Sequence, residues 1–497
     1  MNRPRRTTGA TLGFVVFAVL VLSALGYGIS RLIGSSHPKT APPSKQAPAT
    51  IPQDRFSLEQ QQLLRQVAAR TWSFLSGPDL DPSTHLPLNN VPVSGPVGSG
   101  FTSPTEIGLY LSSIVAARDL GLSTPAQALA AASQELSTIQ GLKKYQGFPL
   151  RWYSTATGAA ISDPSGGSVS GNYVVSTVDD SWFAQGVAVA AQAFPELSSA
   201  FEGILAAMNF GLLYDAGKGV LYDSYSSSTG PSAATYNLLY GGPRIADYMA
   251  IGSGTVPGAL WWSVHRTPPP RTGQRQVPQG TTTSYRDPQN GQSYSVFEGH
   301  YSYAGVEFVP TFGGSMFEAL APNLVFPEQI LGPESLGLNN RNTVLAQIDW
   351  ARSALGYPVW GLAPGTTPAD PTGYAQFGAA GLATKQKDIP GTAVTPYASF
   401  LALDVLPEAA YKNIAKLMSL YPSIYSSFGF LDSVDPTAHV IAQRYMVVSQ
   451  AVILMGIDNA LDQGKLQTYL AGSRYGSTIA PYLSSERFSI TAAGTGS

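Results

Sequence analysis

Residues 103–121 read SPTEIGLYLSSIVAARDLG and carry a complete signal for the start of a helix. Ser103 can cap the helix, Pro104 fits its first turn, and Glu106 stands three residues after the cap, which is the arrangement of a capping box. From Ile107 onward, apolar residues recur at helical spacing. The stretch therefore predicts a capped helix, and its opening device recurs along the chain.

Capping signals and apolar periodicity predict an all-α fold. Thr124–Gln127 and Ser57–Gln60 repeat the capping device. Apolar spacing alone predicts about nine further helices, near 178–194, 197–213, 238–252, 256–265, 314–325, 336–355, 395–404, 407–420 and 444–464. Long loops rich in Gly, Pro and aromatic residues separate them at 82–102, 145–176, 266–312 and 357–394, with short strands expected around Val296 and 306–309. Loops of this length in a compact domain usually carry function.

Composition excludes several classes of protein. The 497 residues have a net charge of -2 and only 12 % charged residues, which argues against a nucleic-acid surface. The absence of Cys excludes disulfides and thiolate metal sites. The five His lack HExxH spacing, and no GxSxG, P-loop or Rossmann motif occurs. The sequence predicts no cofactor and no metal, and a neutral polar partner.

The N-terminal region predicts export. Residues 11–30 contain no charge and are long enough to span a bilayer, and arginines precede them, so the positive-inside bias sends the rest of the chain across. We expect a single-pass membrane anchor with an extracytoplasmic domain. A cleaved signal peptide, which would give a secreted protein, is the alternative.

The predicted domain organisation has four parts. Residues 1–33 hold the anchor or signal, and residues 34–55 have the Pro-, Ala- and Ser-rich composition of a linker. Residues 56–485 form one large catalytic domain, and residues 486–497 form a tail. The sequence does not indicate an oligomeric state.

Carboxylates among aromatic and glycine residues suggest sugar chemistry, because glycosidic cleavage uses two carboxyl groups and aromatic faces stack on sugars. The candidates are Asp179, Asp180, Glu298, Glu307, Glu318, Asp432 and Asp435. Asp180 has a competing interpretation as a helix cap, and turn formation would explain either Asp432 or Asp435. Glu318 lies among apolar residues, where an unpaired carboxylate would be costly and its burial would need a purpose.

Eight segments in order resemble the glucoamylase-like family, which includes endo-β-1,2-glucanases and the transglycosylase domain of cyclic β-1,2-glucan synthases. They are PTEIGLYLSSIVAARDLG (104–121), VVSTVDDSWFAQGV (174–187), YGGPRIADYMAIGSGTVP (240–257), GGSMFEALAPNLVFPE (313–328), YPVWGLAP (357–364), TPYASFLAL (395–403), YSSFGFLDSVDP (425–436) and RYMVVSQAVILMGIDNAL (444–461). The resemblance implies an (α/α)6-type toroid of paired helices, with long loops and short strands at the cleft end.

The resemblance also implies catalytic residues. Glu318 matches the nucleophile of retaining relatives, while Asp179 and Asp432 match aspartates that line the cleft. Many relatives carry a general-acid glutamate where this chain has Gly242, so the acid must come from elsewhere. Glu298 is the best replacement, and Glu307 and Asp179 are weaker ones.

Glu298 also has a structural alternative. It could pair with an arginine such as Arg244 and hold the 266–312 loop, which would lower its pKa rather than raise it. The sequence leaves both roles open.

The expected substrate-binding residues lie in the segments that the family places at the cleft. They are Trp152, Tyr153, Asp180, Trp182, Arg244, His300, Tyr301, Trp360 and Tyr397. The expected function is an extracytoplasmic glycoside hydrolase or transglycosylase acting on an oligo- or polysaccharide of the cell envelope or the environment, such as a β-glucan. A non-catalytic glycan-binding or envelope-assembly protein that retains the cleft is the alternative.

Overall fold

The structure is a computed structural model that describes residues 55–94, 98–169, 171–269, 275–370, 372–385 and 389–494. The predicted membrane segment, residues 11–30, and nearly all of the predicted linker lie outside the described residues. Within the described ranges, no helix combines the length and the apolar character that a membrane crossing requires.

Helices dominate the described part of the chain. They are α1 (Leu58–Leu75), α2 (Pro104–Asp119), α3 (Pro125–Gly141), α4 (Thr177–Ala193), α5 (Ser198–Ala207), α6 (Arg244–Gly252), α7 (Ala259–Ser263), α8 (Met316–Leu320), α9 (Glu328–Leu331), α10 (Leu336–Asp349), α11 (Tyr397–Leu401), α12 (Pro407–Leu420), α13 (Val447–Leu461), α14 (Lys465–Gly472) and α15 (Arg474–Ser485). Capping boxes open α1, α2 and α3, as the sequence predicts. The mainly helical fold class is confirmed.

Short antiparallel strands lie in the long loops. The pairs are β1 (Asn90–Pro92) with β22 (Arg444–Met446), β2 (Phe101–Thr102) with β5 (Tyr153–Ser154), β3 (Lys144–Tyr145) with β4 (Phe148–Pro149), β12 (Thr282–Arg286) with β13 (Ser293–Phe297), β14 (Tyr301–Tyr303) with β15 (Val306–Phe308), β16 (Gly365–Thr366) with β17 (Tyr374–Ala375), β18 (Tyr425–Ser426) with β19 (Gly429–Phe430), and β20 (Val434–Asp435) with β21 (Val440–Ile441). Two three-stranded sheets join β6 (Val174–Ser176), β9 (Ser224–Ser226) and β10 (Gly230–Pro231), and β7 (Tyr214–Asp215), β8 (Val220–Tyr222) and β11 (Thr235–Tyr236).

The helix predicted at 238–252 is shorter in the structure. It begins at Arg244, because Gly241, Gly242 and Pro243 precede it and both residue types disfavour a helix interior. The chain before Arg244 instead forms a turn that carries Gly242.

Six helices contact one another in a closed circuit. Helix α2 packs against α4 and α13, α4 packs against α6, and α11 packs against both α8 and α13. Arg244 of α6 completes the circuit, since its guanidinium donates a 2.7 Å hydrogen bond to the carbonyl of Ala319 in α8. The first turns of α2 and α4 lie together, because Thr105 donates a 2.7 Å hydrogen bond to Asp179.

Helices α2 and α4 approach closely at two glycines. A Cβ atom on Gly108 would lie 2.1 Å from the carbonyl oxygen of Trp182, and one on Gly186 would lie 2.0 Å from the carbonyl oxygen of Gly108. Ser112 and Gln185 share a hydrogen bond further along the same pair. The two helices are therefore parallel and packed backbone to backbone.

The packed core extends into the segment that the sequence predicts as a tail. Glu486 is fully buried and pairs with Arg266 at 2.5 Å, and Phe488 is buried as well. Thr491 donates its backbone N–H to Glu307 at 2.8 Å. The chain after residue 485 is thus attached to the domain by specific contacts.

The glycine contact generates a stability prediction. We expect Gly108→Ala to lower the free energy of unfolding by about 2 to 4 kcal/mol, because an added methyl group would overlap the backbone of α4. Gly203→Ala in α5 is the matched control. No heavy atom lies within 4 Å of its added Cβ, and alanine favours a helix over glycine. Thermal unfolding followed by circular dichroism measures both, and equal melting temperatures for the two variants would contradict the close contact.

Candidate active site

Four carboxylates come together around two tyrosines, and we call these six residues the carboxylate cluster. Its members are Glu106, Asp179, Glu318, Asp432, Tyr374 and Tyr397. The charges of Asp432 and Glu106 act on the hydroxyl of Tyr374, and the charges of Asp432 and Glu318 act on the hydroxyl of Tyr397. In both tyrosines burial is the main reason that the pKa lies well above its ordinary value, and the carboxylates add to the effect.

Helix starts position three of the carboxylates. Glu106 and Asp179 lie in the first turns of α2 and α4, and Glu318 lies in the first turn of α8. Ser103 and Ser315 cap α2 and α8, each forming a capping box with the glutamate three residues later. Side chains in a first turn lean toward the helix start, so these carboxylates project beyond the helix ends.

Glu318 is partly exposed although its surroundings are largely apolar. Its Oε2 accepts a 2.9 Å hydrogen bond from the N–H of Gly313. Burial raises the pKa of Glu318, while the Gly313 N–H, the Thr311 hydroxyl and the charge of Lys385 oppose the rise. Partial exposure together with strong desolvation is expected of a side chain at the floor of a concave site.

Aromatic rings pack around Phe317, the residue before Glu318. The ring of the adjacent Phe317 lies 6.2 Å from that of Trp182 and 6.2 Å from that of Tyr397, measured between centroids. The predicted residues Trp182 and Tyr397 therefore lie close to the predicted nucleophile, although both are almost fully buried. Rings in this arrangement exclude water from a carboxylate.

Asp432 is buried and held by neutral donors. It accepts hydrogen bonds from the Thr366 N–H at 2.5 Å and the Ser449 hydroxyl at 2.6 Å. Burial raises its pKa, and these hydrogen bonds and the charge of Arg444 oppose the rise. Asp435 forms the expected turn, since its carboxylate accepts from the backbone of Thr437 and Ala438.

Glu106 belongs to the carboxylate cluster, although the sequence indicated only a capping role. Its carboxylate accepts hydrogen bonds from Asn89 Nδ2 at 2.7 Å and from the N–H and hydroxyl of Ser103. Burial raises the pKa of Glu106 to about 7, the charge of Asp179 adds to the rise, and the hydrogen bonds from Ser103 and Asn89 oppose it. The side chain of Glu106 both caps α2 and belongs to the carboxylate cluster. The capping motif alone accounted for this glutamate in the sequence, so the second role was not predicted.

Glu298 lies in a different cluster. Its Oε2 is 3.6 Å from Nε of Arg266, which also holds Glu486. The arginine partner is thus Arg266, and not Arg244. Burial nevertheless raises the pKa of Glu298 to about 8, with Glu486 adding to the rise and Arg266 opposing it. Glu298 is therefore paired with an arginine, as the structural alternative predicted. Its pKa is raised, however, whereas that alternative predicted a lowered pKa.

Arg244 is a correction to the predicted substrate-binding set. Its guanidinium is fully buried and donates to Glu328 at 2.7 and 3.1 Å and to the carbonyl of Ala319. Tyr248 donates to the same glutamate at 2.6 Å. A guanidinium surrounded in this way joins α6 to α8 and α9 and has no surface left for a ligand.

Several other predicted binding residues also have structural partners. Asp180 is buried, and its carboxylate accepts a 3.0 Å hydrogen bond from the N–H of Ser176, the residue before α4. The Tyr153 hydroxyl is fully used by Leu150 and Lys143. Trp152, Tyr301 and Trp360 are buried, with 4 %, 2 % and 2 % of their surfaces exposed. These side chains have little surface available to a ligand.

His300 and Glu307 hold the C-terminal segment. Glu307 accepts hydrogen bonds from the N–H and hydroxyl of Thr491, and its other oxygen lies 3.8 Å from Nε2 of His300. Burial lowers the pKa of His300. Neither residue is linked to Glu318 by a contact among the described residues, and both belong to the surface that the chain end covers.

No group of three or more His, Asp or Glu side chains within the described ranges has the arrangement of a metal site. The carboxylate cluster itself supplies carboxyl groups. Proton transfer and nucleophilic attack are the two reactions that such groups perform at a sugar.

Comparison with known proteins supports the resemblance over part of the chain. Residues 244–472 match the Glycoamylase family, described as "Putative glucoamylase". The resemblance to the glucoamylase-like family is confirmed. The matched residues include Glu318, Tyr374, Tyr397 and Asp432, whereas Glu106 and Asp179 precede them.

Solved structures show the same fold in relatives. The endo-beta-1,2-glucanase from Chitinophaga pinensis, in complex with sophorotriose and glucose, is 16 % identical and has a TM-score of 0.65, covering 86 % of this chain and 99 % of that one. The endo-beta-1,2-glucanase from Talaromyces funiculosus, in complex with sophorose, is 14 % identical with a TM-score of 0.59, covering 88 % and 94 %. At these identities the likeness establishes the fold.

A curated relative matches over part of the chain. The cyclic beta-(1,2)-glucan synthase NdvB of Rhizobium meliloti (strain 1021) is 31 % identical over 153 residues, which are 30 % of this chain. The match spans only 5 % of NdvB.

The raised pKa of Glu106 predicts how stability depends on pH. The folded chain binds this proton up to about pH 7, whereas the unfolded chain releases it near pH 4.5. Between these values the folded state binds more protons, so the contribution of Glu106 to stability falls as pH rises, by about 3 kcal/mol in total. Glu106→Gln cannot ionise, and we expect its stability relative to the native chain to be more favourable at pH 8 than at pH 5. Urea unfolding at both pH values measures this, and a difference independent of pH would refute it.

Proposed function

We propose that this protein is a glycoside hydrolase or transglycosylase that acts on a β-linked glucan. The observation that carries the proposal is the carboxylate cluster, in which partly exposed Glu318 lies among aromatic rings and other carboxylates come from neighbouring helix starts. Glycosidic cleavage needs two carboxyl groups in different electrostatic environments, and this cluster supplies them. The names of the structural relatives support a β-1,2-linked glucan as the first substrate to test.

We propose Glu318 as the nucleophile or base of this reaction. Backbone N–H and hydroxyl donors hold its carboxylate in one orientation, which favours attack at a single position. The closed circuit of helices further supports an (α/α)6-type toroid, with the first turns of its inner helices lining the cleft.

We propose Asp179 as the general acid, in preference to Glu298. Asp179 accepts a hydrogen bond from the hydroxyl of Thr105, and its charge helps to raise the pKa of Glu106 in the carboxylate cluster. Trp182, in the following turn of α4, contacts Phe317 beside Glu318. Glu298, in contrast, is paired with Arg266 behind α6.

Substitution of Glu318 tests the proposal. We expect Glu318→Gln to reduce cleavage of β-1,2-glucan by several orders of magnitude, because the amide keeps the shape and loses the charge, while folding is retained. Glu408→Gln is the control, since Glu408 is exposed on α12 and pairs only with Lys412. Reducing-sugar release measures both, and near-normal activity of Glu318→Gln would make the residue structural.

The same assay distinguishes the two acid candidates. If Asp179 is the acid, Asp179→Asn should impair cleavage of the glucan and largely spare aryl glycosides, whose leaving groups need no proton. Glu298→Gln should change thermal stability without this selectivity. Selective loss in Glu298→Gln instead would return the acid role to Glu298.

We also propose that residues 11–30 anchor the protein in the membrane and that the domain acts outside the cytoplasm. The uncharged length of this segment and the arginines before it support the proposal. We expect the full-length chain to fractionate with membranes and to be digested when trypsin is added to intact cells. A full-length chain in the cytosol, or a secreted product beginning near residue 27, would overturn it.

A further inference from the structure

Three tyrosines form a surface row beside the carboxylate cluster. Tyr145 in β3 lies between Tyr173, which precedes β6, and Tyr225 in β9, with 6.1 Å between ring centroids in both cases. The ring planes of Tyr145 are tilted by 34° from Tyr173 and 19° from Tyr225. All three side chains are half-buried, so each ring keeps an accessible part.

The row is continuous with the proposed active site. Strand β6 runs directly into α4, and Val175 of β6 pairs with Tyr225 of β9. Because side chains alternate along a strand, Tyr173 and Tyr225 lie on the same face of this sheet. The backbone of Asp223, two residues before Tyr225, accepts a 3.0 Å hydrogen bond from Thr177 at the start of α4.

Side-chain electrostatics extend this connection to Asp179. Tyr236 of β11 experiences the charges of both Asp223 and Asp179, which add to the effect of burial in raising its pKa. Asp223 lies at the bend that joins β8 to β9, two residues before Tyr225. A path of polar and aromatic side chains thus leads from Asp179 through Tyr236 and Asp223 to the tyrosine row.

The edge of the row is polar and mostly uncharged. The Ser226 and Ser228 hydroxyls donate to Oδ1 of exposed Asn172 at 2.8 and 2.9 Å, and Lys143 Nζ lies 5.3 Å from the centre of the Tyr173 ring. Aromatic faces bordered by hydroxyl and amide groups match the alternating apolar faces and hydroxyl edges of a sugar chain.

We propose that Tyr145, Tyr173 and Tyr225 form a remote glucan-binding subsite that holds the polymer outside the cleavage position. The proposal rests on the proposed function, because it assigns to the row a second segment of the same glucan. In this proposal a polymer occupies the cleavage position and the row together, so the subsite favours polymer over short substrates.

The test compares the full-length protein with a Tyr145→Ala/Tyr225→Ala variant on β-1,2-glucan and on sophorotriose. We expect the ratio of kcat/KM for polymer to kcat/KM for trisaccharide to fall about 10-fold, mainly through the KM for polymer, because two stacking contacts are lost. Tyr145→Phe/Tyr225→Phe retains the rings and should retain the ratio. Tyr411→Ala, a half-buried tyrosine on α12, is the control for loss of any surface ring.

The outcomes separate this proposal from the proposed function. If the native chain cleaves both substrates and the alanine variant keeps the native ratio, the subsite is refuted and the hydrolase proposal stands. If the native chain cleaves neither, the hydrolase proposal fails, and electrophoretic retardation in a gel containing β-1,2-glucan decides on the subsite. Weaker retardation of the alanine variant than of the phenylalanine variant would support it, and equal retardation would overturn it.

Discussion

The backbone contact between α2 and α4 fixes the geometry on which the carboxylate cluster depends. Gly108 and Gly186 remove the side chains that would hold the two helices apart, so the helices run parallel in direct contact. Their first turns then lie side by side, which brings Glu106 and Asp179 together. Burial raises the pKa of Glu106, and the nearby charge of Asp179 adds to the rise.

Buried carboxylates in this fold differ in what holds them. Glu328 and Glu486 are paired with the buried guanidiniums of Arg244 and Arg266 and connect helices. Glu106 and Asp432 instead accept hydrogen bonds from neutral amide and hydroxyl groups, so burial raises the pKa of both. A carboxylate buried without a paired cation is costly, and such groups are concentrated at functional sites.

The sequence predicted helices well and side-chain exposure poorly. Capping boxes and apolar spacing located α2, α3 and α12 closely, because these signals are local. Helices α2 and α4 are buried on nearly every side, so no amphipathic face indicated which residues point to the cleft. Glu106 and Asp180 illustrate the result, since both occupy first turns and both accept a hydrogen bond from the backbone N–H of the residue before their helix, yet only Glu106 joins the carboxylate cluster. Only the tertiary contacts distinguish them.

Neither packing nor backbone conformation requires a glycine at position 242, where the resemblance led us to expect a glutamate. A Cβ atom at this position would meet no heavy atom within 4 Å. The backbone there is also outside the left-handed region that favours glycine, so neither space nor conformation excludes a side chain. Gly242 is therefore not required by packing. Helix α6 packs against α4, whose first turn carries Asp179, the residue that we propose as the acid.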